Sequence, residues 1–333
     1  MGMRVPVLDL SAPAFVDDLC EVIHEVGTCY LVGHQVPQAR IDTVFEMAHA
    51  FFALPEVERL AVDKVHSPRF RGYTPVGREV TSGHWDWREV FDVARERPEQ
   101  PVTEADPPWR RLIGPNQWPA ALPELRAVVT GWLAEVDRLG GLVLRALARG
   151  LGQPEDRFDP WFGEQAHVRV KLVHYLGRPH PGHEQGVGVH KDRGFMGFVL
   201  QDEVGGLQIS DGAGGWLEVP PRPGALVLNF GEMSEVATGG YVRATPHRVV
   251  APRAGQERFS VIGFYNPRLE ARLAPVALPS ELAGKARGIS DDPHNPYFAQ
   301  FGENELKGWF RGHPHVARLH YPQALLPGGE AQR

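Results

Sequence analysis

The chain has 333 residues, of which 42% are hydrophobic and 23% are charged, and its formal net charge is -6. This composition is typical of a globular protein with a sizeable core, and the negative balance gives no general attraction to nucleic acid or to an anionic membrane. No apolar run reaches the roughly 18 residues of a membrane span and no secretory signal is present, so we expect a cytoplasmic protein without membrane or nucleic-acid partners.

The first part of the chain predicts helices that alternate with short strands. Residues 5–10 and 28–32 are short apolar runs typical of strands. Apolar residues recur at helical spacing in residues 15–26 and again in residues 41–52. Residues 67–92 are rich in Arg, Gly and Trp and predict irregular structure.

A long helix and then closely spaced strands are predicted for the rest. Helical spacing of apolar residues runs from residue 122 to residue 151. Short apolar runs separated by Gly and Pro turns follow at residues 168–175, 187–190, 195–200, 207–209, 216–219, 225–230, 247–250 and 259–265. Such strands favour a sandwich or barrel. We therefore expect an N-terminal region (1–120) and a second region (121–333) that contains the β-core at 165–270. The two regions should pack on each other as one structural unit.

The motif His190-Lys191-Asp192, taken together with His247, is the most informative feature of the sequence. Residues two apart in a strand point to the same side, so His190 and Asp192 can converge on one ion while His247 approaches from a distant strand. Two imidazoles and one carboxylate hold one face of a non-haem Fe(II) and leave the other positions open. The motif predicts catalytic iron bound by His190, Asp192 and His247; for His-x-Asp alone, a surface or capping pair is the alternative.

Arg258 and Ser260 form a second pair with strand alternation, eleven and thirteen positions after His247. An arginine buried in a β-core requires an anionic partner, because an unpaired charge there is costly. A structural Asp or Glu could be that partner. The short distance from His247 favours instead a carboxylate-bearing ligand in the same pocket.

These motifs resemble the 2-oxoglutarate-dependent dioxygenases related to isopenicillin N synthase. The resemblance is carried by residues 190–192, by Thr-Pro-His-Arg-Val at 245–249, by Arg-Phe-Ser at 258–260 and by Phe-Tyr-Asn-Pro at 264–267, and it extends from residue 5 to residue 325. It implies an α+β fold with a mainly β, double-stranded β-helix (jelly-roll) core, flanking N-terminal helices and a C-terminal helix. Within the family, the pattern is most similar to the bacterial ethylene-forming enzyme.

The resemblance also implies the cofactors. Fe(II) would bind the triad, and 2-oxoglutarate would chelate the iron through its 1-carboxylate and keto oxygen. Arg258 and Ser260 would hold the distal carboxylate, with Tyr175 and Lys171 as further cosubstrate-binding residues. With O2, oxidative decarboxylation to succinate and CO2 would drive oxidation of a small molecule, chiefly hydroxylation, with desaturation or cyclisation as other outcomes. Specialised metabolism, such as antibiotic biosynthesis, is the expected setting.

The resemblance further implies five substrate-binding residues, namely Glu79, Thr81, Arg193, Arg311 and Phe264. Glu79 and Thr81 match positions that bind arginine in the ethylene-forming enzyme, although loop capping is an equally good explanation for them. Lys171 and Arg193 depart from that enzyme's pattern and, with Arg311, add positive charge near the pocket. We therefore expect a carboxylate-bearing or amino-acid-like small molecule rather than arginine itself.

Other functions stay open at the level of sequence. Arg258-x-Ser260 also occurs in oxidases like isopenicillin N synthase, which use Fe(II) and O2 without 2-oxoglutarate. An ethylene-forming type of reaction on 2-oxoglutarate and an amino acid is a further alternative. A metal-free binding protein that kept the fold is the third, and the complete triad argues against it. A monomer and a homodimer are both compatible with the sequence.

Overall fold

The described residues of this computed structural model, which are 4–99, 101–178, 185–290, 292 and 295–323, form fourteen strands and eight α-helices. The strands are β1 (Val7–Asp9), β2 (Thr28–Val32), β3 (Gly72–Thr74), β4 (Val80–Thr81), β5 (His84–Trp85), β6 (Glu89–Ala94), β7 (His167–Tyr175), β8 (Gln185–His190), β9 (Met196–Gln201), β10 (Leu207–Ser210), β11 (Trp216–Glu218), β12 (Leu226–Phe230), β13 (His247–Val250) and β14 (Arg258–Asn266). The helices are α1 (Phe15–Glu25), α2 (Gln38–Phe52), α3 (Glu56–Leu60), α4 (Glu124–Gly150), α5 (Glu232–Ala237), α6 (Ser280–Ala283), α7 (Phe301–Gly312) and α8 (Pro314–His320). None of the helices described is long and apolar enough to cross a membrane.

Two sheets form the β-core. The larger has the strand order β1-β2-β12-β9-β14-β7-β6-β3, and all neighbouring pairs are antiparallel except β1 with β2. The smaller has the order β11-β10-β13-β8, while β4 and β5 pair as a separate hairpin. Together with the helices at both ends of the chain, this topology confirms the predicted jelly-roll class.

Strand β7 explains how charged residues enter the interior. All nine of its residues are buried, because the strand lies near the centre of the larger sheet. Val168, Val170 and Leu172 belong to the apolar core that also includes the helices. Lys171 and Tyr175 alternate with them and line a pocket between the two sheets. At β7 of the larger sheet, strand alternation therefore turns apolar residues toward the helices and polar residues toward the pocket.

The N-terminal region belongs to the same sheet and core. It contributes β1, β2, β3 and β6 to the larger sheet, and α1 and α2 pack against α4. Buried apolar residues from Leu8 to Tyr321 form one connected cluster. That the two regions form one structural unit stays a prediction. The boundary at residue 120 stays a prediction, and residues 324–333 lie outside the described residues.

The expectation of irregular structure over residues 67–92 is wrong in part, because β3, β4, β5 and the start of β6 lie there between irregular segments. Strand β6 is buried throughout although it contains Glu89 and Asp92. His174 Nδ1 lies 2.7 Å from Glu89 Oε1, and Lys64 donates to Asp92 Oδ2 at 2.7 Å. These carboxylates interrupt the apolar alternation, and their partners lie far along the chain. Helix α5 was not predicted either.

Helix α4 packs closely on β14 because glycines remove side chains at the contact. A Cβ on Gly140 would lie 2.1 Å from Tyr265 Cγ, and one on Gly263 would lie 2.2 Å from Val136 Cγ2. Gly141, the next residue of the helix, has no atom within 4 Å of such a Cβ. Packing therefore requires a glycine at position 140 but not at position 141.

We expect Gly140→Ala and Gly141→Ala to change stability in opposite directions. Alanine favours a helix over glycine by about 1 kcal/mol, so Gly141→Ala should raise the free energy of unfolding by up to that amount. At position 140 the clash with Tyr265 should outweigh this gain and lower it by about 1–3 kcal/mol. Urea unfolding of both variants checks this, and stabilisation by Gly140→Ala would contradict the packing described.

Candidate active site

The predicted metal ligands meet at one end of the smaller sheet. His190 ends β8 and His247 begins β13, and the two are direct cross-strand partners. Asp192 Oδ1 lies 3.9 Å from His190 Nε2 and 3.8 Å from His247 Nε2. One ligand atom from each residue falls within 4.8 Å of the others. Two imidazoles and a carboxylate at this spacing fit the facial donor set of a non-haem Fe(II).

Backbone carbonyls orient both imidazoles. Nδ1 of His190 lies 2.8 Å from the carbonyl oxygen of Gly188, and Nδ1 of His247 lies 3.0 Å from that of Thr245. A carbonyl only accepts, so each Nδ1 carries the proton and each Nε2 keeps its lone pair for a metal. Burial, reinforced by the neighbouring His247, lowers the pKa of His190 to about 3. The His190 imidazole is therefore neutral at physiological pH.

Asp192 is placed differently from the sequence expectation. It lies two residues beyond the end of β8, so strand alternation with His190 does not bring it to the site. Asn229 on β12 instead donates from Nδ2 to Asp192 Oδ2 at 2.6 Å, which leaves Oδ1 facing the imidazoles. Burial alone would raise the pKa of Asp192, but the two imidazoles and Asn229 outweigh it and lower the pKa. The side chain is an ionised carboxylate with one oxygen already engaged.

Arg258 and Ser260 lie together in the same pocket. Arg258 is 1% exposed and donates to Ser260 Oγ at 3.4 Å and to Gln201 Oε1 at 3.1 Å. Its guanidinium lies 4.7 Å from the ring centre of Tyr175. Among the described residues no acidic side chain pairs with Arg258, and its Nε has no hydrogen-bond partner. A buried cation without a counter-charge, next to a hydroxyl, fits a ligand carboxylate.

The pocket includes some of the other predicted ligand-binding residues. Those that line it with the triad are Arg258, Ser260, Tyr175, Lys171 and Phe264. Glu79, Thr81, Arg193 and Arg311 do not belong to the lining that the described residues form. Thr81 donates to Asp86 Oδ2 at 2.7 Å, and Arg311 is exposed and donates to Asn295 Oδ1 at 2.8 Å.

Glu79 lies behind the pocket wall in a buried ion-pair network. Its Oε1 accepts from Lys171 Nζ at 2.8 Å, and its Oε2 lies 3.0 Å from Arg88 Nη2. The same Arg88 nitrogen lies 3.1 Å from Asp86 Oδ2. Burial would raise the pKa of Glu79, but Arg88 and Lys171 outweigh it and hold the pKa well below its usual value. Two carboxylates and two cations therefore neutralise one another here.

Arg193 is held by α7. Its Nε donates to Glu305 Oε2 at 2.9 Å and its Nη2 to Glu305 Oε1 at 3.3 Å, and Arg169 Nε lies 3.1 Å from the same carboxylate. The guanidinium of Arg169 stacks between Phe264 and Trp309, at 4.6 and 4.9 Å from the ring centres. Phe264 lines the pocket, so this stack connects the pocket wall to the C-terminal helix.

The sequence did not predict three residues of this site, which are Asn229, Arg88 and Glu305. Asn229 has a recognisable signal, since it is the one polar residue in the apolar run Leu226–Phe230. Arg88 and Glu305 have none, because each lies in a segment with other charged residues. Their roles depend on partners that only the fold brings close.

Two family models match the chain. Residues 5–121 match the N-terminal region of non-haem dioxygenases in morphine synthesis, and residues 167–267 match the 2OG-Fe(II) oxygenase superfamily. The 2-oxoglutarate-dependent dioxygenase frbJ of Dothideomycetidae sp. is 32% identical, over 96% of this chain and 93% of its own length. The chain belongs to the 2OG-Fe(II) oxygenase superfamily. It is therefore an oxidoreductase that uses Fe(II), 2-oxoglutarate and O2.

This oxygenase has further relatives, one of which is named as a hydroxylase of a small molecule and another of which was solved with one. Homoarginine-6-hydroxylase 2-ODD-C23.1 of Arabidopsis thaliana is 27% identical over 84% of this chain and 85% of the relative. A 2OG-Fe(II) oxygenase family protein of Caulobacter crescentus has a TM-score of 0.74 at 28% identity, over 92% of this chain and 99% of that one. JOX2, solved with 2OG, Fe and JA, has a TM-score of 0.74 at 26% identity, over 94% and 88%. A small molecule is accordingly the partner of this chain.

We expect Glu305→Gln to destabilise the protein in a pH-dependent way. Removing the carboxylate leaves Arg193 without an ion-pair partner among the described residues and leaves Arg169 only Asp92, at 3.9 Å, which should cost about 3 kcal/mol at pH 7. Although burial would raise it, the pKa of Glu305 lies well below 4.5, because the two arginines outweigh burial. The stabilisation is thus complete above pH 4.5 and is lost as the pH falls toward the folded-state pKa.

Urea unfolding of Glu305→Gln and wild type at several pH values tests this. The difference in unfolding free energy should be largest at pH 7 and begin to shrink below about pH 4.5. Glu303→Gln, an exposed position on the same helix, is the matched control and should change little. A Glu305→Gln variant as stable as that control would contradict the ion pairs described.

Proposed function

We propose that His190, Asp192 and His247 bind the catalytic Fe(II), and that Arg258 and Ser260 bind the distal carboxylate of 2-oxoglutarate. The observation that carries this proposal is the buried Arg258, which no acidic side chain of the described residues neutralises, in the same pocket as the triad. The reaction proposed is hydroxylation of a small molecule, with succinate and CO2 as the products of the cosubstrate.

The residues of the chain would prepare the site in three ways. The backbone carbonyls of residues 188 and 245 accept from Nδ1 of the two imidazoles and so point each Nε2 at the metal. Asn229 holds the Asp192 carboxylate so that one oxygen remains for the iron. Tyr175 covers the Arg258 guanidinium, while apolar residues of both sheets keep water out. Bound iron and 2-oxoglutarate supply the oxidising power by activating O2.

We also propose that the substrate carries a carboxylate, as an organic acid or an amino acid does. Of the described residues that line the pocket, Asp192 is the only acidic one, whereas Arg88, Lys171 and Arg258 are basic. Glu79, which could otherwise receive a cation, is already paired with Arg88 and Lys171. Glu79 balances the charge of Lys171, but the ammonium group has three N–H donors and only one is used by Glu79. The remaining donors support a hydrogen-bond acceptor such as a carboxylate on the substrate near Lys171.

The cosubstrate assignment predicts a specific effect of Arg258→Gln. Loss of a charge-assisted hydrogen bond to a carboxylate costs about 1.5–3 kcal/mol, so the Kd for 2-oxoglutarate should rise about 10- to 100-fold. Fe(II) binding should change little. The measurements are anaerobic titration of the visible charge-transfer band of Fe(II) with 2-oxoglutarate, and succinate formation in air.

Two control variants complete that experiment. Arg253→Gln changes an exposed arginine in the loop before β14 and should leave the Kd unchanged. His190→Ala should abolish the band altogether, because the metal loses one of three protein ligands. A wild-type protein that shows no band and releases no succinate with any substrate would refute the proposed function.

The charge of the substrate can be tested by screening compounds for stimulation of 2-oxoglutarate turnover. We expect amino acids and small carboxylic acids to stimulate succinate release, and their methyl esters or amides to be at least about tenfold weaker. Lys171→Met should raise KM about tenfold for the acid that stimulates turnover most. It should also reduce the ratio of stimulation by that acid to stimulation by its methyl ester. The exposed Lys285→Met is the control. Stimulation by the esters equal to that by the acids would argue against this part of the proposal.

A further inference from the structure

The turn after α1 and the first residue of β2, which together are residues 26–28, lie against the residues that support two of the three proposed iron ligands. Thr28 is 2% exposed, and it lines the same pocket as the triad. None of the three residues Val26, Gly27 and Thr28 is a candidate metal ligand. Their contacts nevertheless lead, by two separate routes, to Asp192 and to His247.

The first route runs through Asn229. Thr28 and Asn229 are opposite each other in the register of β2 and β12, and Thr28 Oγ1 donates to Asn229 Oδ1 at 2.7 Å. Asn229 Nδ2 then donates to Asp192 Oδ2 at 2.6 Å. Because the amide oxygen receives the threonine proton, the amide nitrogen has to face the carboxylate. Without the hydroxyl, the amide could rotate and present its oxygen to Asp192, which would replace attraction by repulsion.

The second route runs through Thr245. Its hydroxyl donates to the carbonyl oxygen of Val26, and its own carbonyl oxygen receives the hydrogen bond from His247 Nδ1. Thr245 is 1% exposed, so its position is fixed by these contacts rather than by water. The turn therefore holds the residue that orients the second imidazole.

Gly27 allows the turn to approach this closely. Its φ is +75°, in the left-handed region that favours glycine. A Cβ at this position would lie 2.1 Å from the carbonyl oxygen of Arg243 and 2.6 Å from Thr245 Oγ1. Any side chain would push the turn away from the segment that leads into β13. The absence of one keeps the backbones of residues 26–28 and 243–245 in contact.

We propose that the turn at residues 26–28 is a positioning element of the iron centre. Thr28 orients Asp192 through Asn229, and Val26 fixes Thr245 and thereby His247. The inference rests on the ligand assignment proposed above. Outer hydrogen bonds of this kind typically change metal affinity 10- to 100-fold when they are removed. The N-terminal region then contributes to Fe(II) binding without supplying a ligand.

The test is anaerobic Fe(II) titration of Thr28→Val, followed by 2-oxoglutarate titration of the charge-transfer band. Valine keeps the shape of threonine and removes the hydroxyl. We expect the Kd for Fe(II) to rise about tenfold and the band maximum to shift, because the Asp192 carboxylate is no longer fixed. Thr28→Ser keeps the hydroxyl and should bind Fe(II) within about threefold of wild type, on the same grounds.

The matched control is Thr74→Val in β3 of the same sheet. Thr74 is 2% exposed, like Thr28, but its hydroxyl has no hydrogen-bond partner among the described residues. This variant should bind Fe(II) as wild type does. Circular dichroism and urea unfolding of every variant establish that each is folded. Should Thr28→Val fail to fold, Thr245→Val takes its place, with the same expected loss of Fe(II) affinity through His247.

Three outcomes would overturn the inference. One is a folded Thr28→Val that binds Fe(II) with wild-type affinity and an unchanged band. Another is an equal loss in Thr28→Val and Thr74→Val, which would mark a general effect of losing a buried hydroxyl. The third is a Thr28→Ser as weak as Thr28→Val. Failure of the wild type to bind Fe(II) is distinguishable from all three and would refute the ligand assignment as well.

Discussion

The cost of burying an unpaired charge is the constraint on which the interior of this protein depends. Lys64 pairs with Asp92, Glu79 pairs with Lys171, and Glu305 pairs with two arginines. All of these side chains are almost fully buried except Arg193, which is 27% exposed. These pairs allow strands to place charged residues on their pocket faces. Among the described residues that line the pocket, Arg258 is the buried cation without an acidic partner, which is the observation that supports our proposal that it binds a carboxylate.

The same constraint connects the C-terminal helix to the centre of the molecule. Glu305 on α7 pairs with Arg169 of β7 and with Arg193, the residue after Asp192, and both guanidinium groups lie close to the ring centre of Trp309, at 4.9 and 4.7 Å. Gly308 leaves space for this arrangement, since a Cβ there would lie 2.1 Å from Arg193 Cδ. The helix is thus attached to the pocket wall by charge and stacking, in addition to apolar packing. Its side chains influence the pocket without lining it.

The sequence predicted the chemistry of the site better than its surroundings. The triad and Arg258-x-Ser260 were recognisable because their spacing is short and their residue types are specific. Asp192 was expected to reach the site by strand alternation with His190, but the hydrogen bond from Asn229 orients it instead. Arg193 was expected to bind substrate, yet its counter-charge lies 112 residues away and cannot be seen in a local pattern. Strand β6 was not predicted for the same reason, because its acidic side chains are neutralised by residues that are distant in the sequence.

The pairing of β2 with β12 has a consequence for how the protein assembles. Thr28 and Asn229 are 201 residues apart, so the β1–β2 pair cannot join the rest of the larger sheet through β12 until most of the chain has been synthesised. Non-local pairing of this kind is associated with slow folding, and strand edges stay exposed until the pairing forms. The pocket, which is lined by both Thr28 and Asn229, is therefore complete only after these distant parts of the chain have paired.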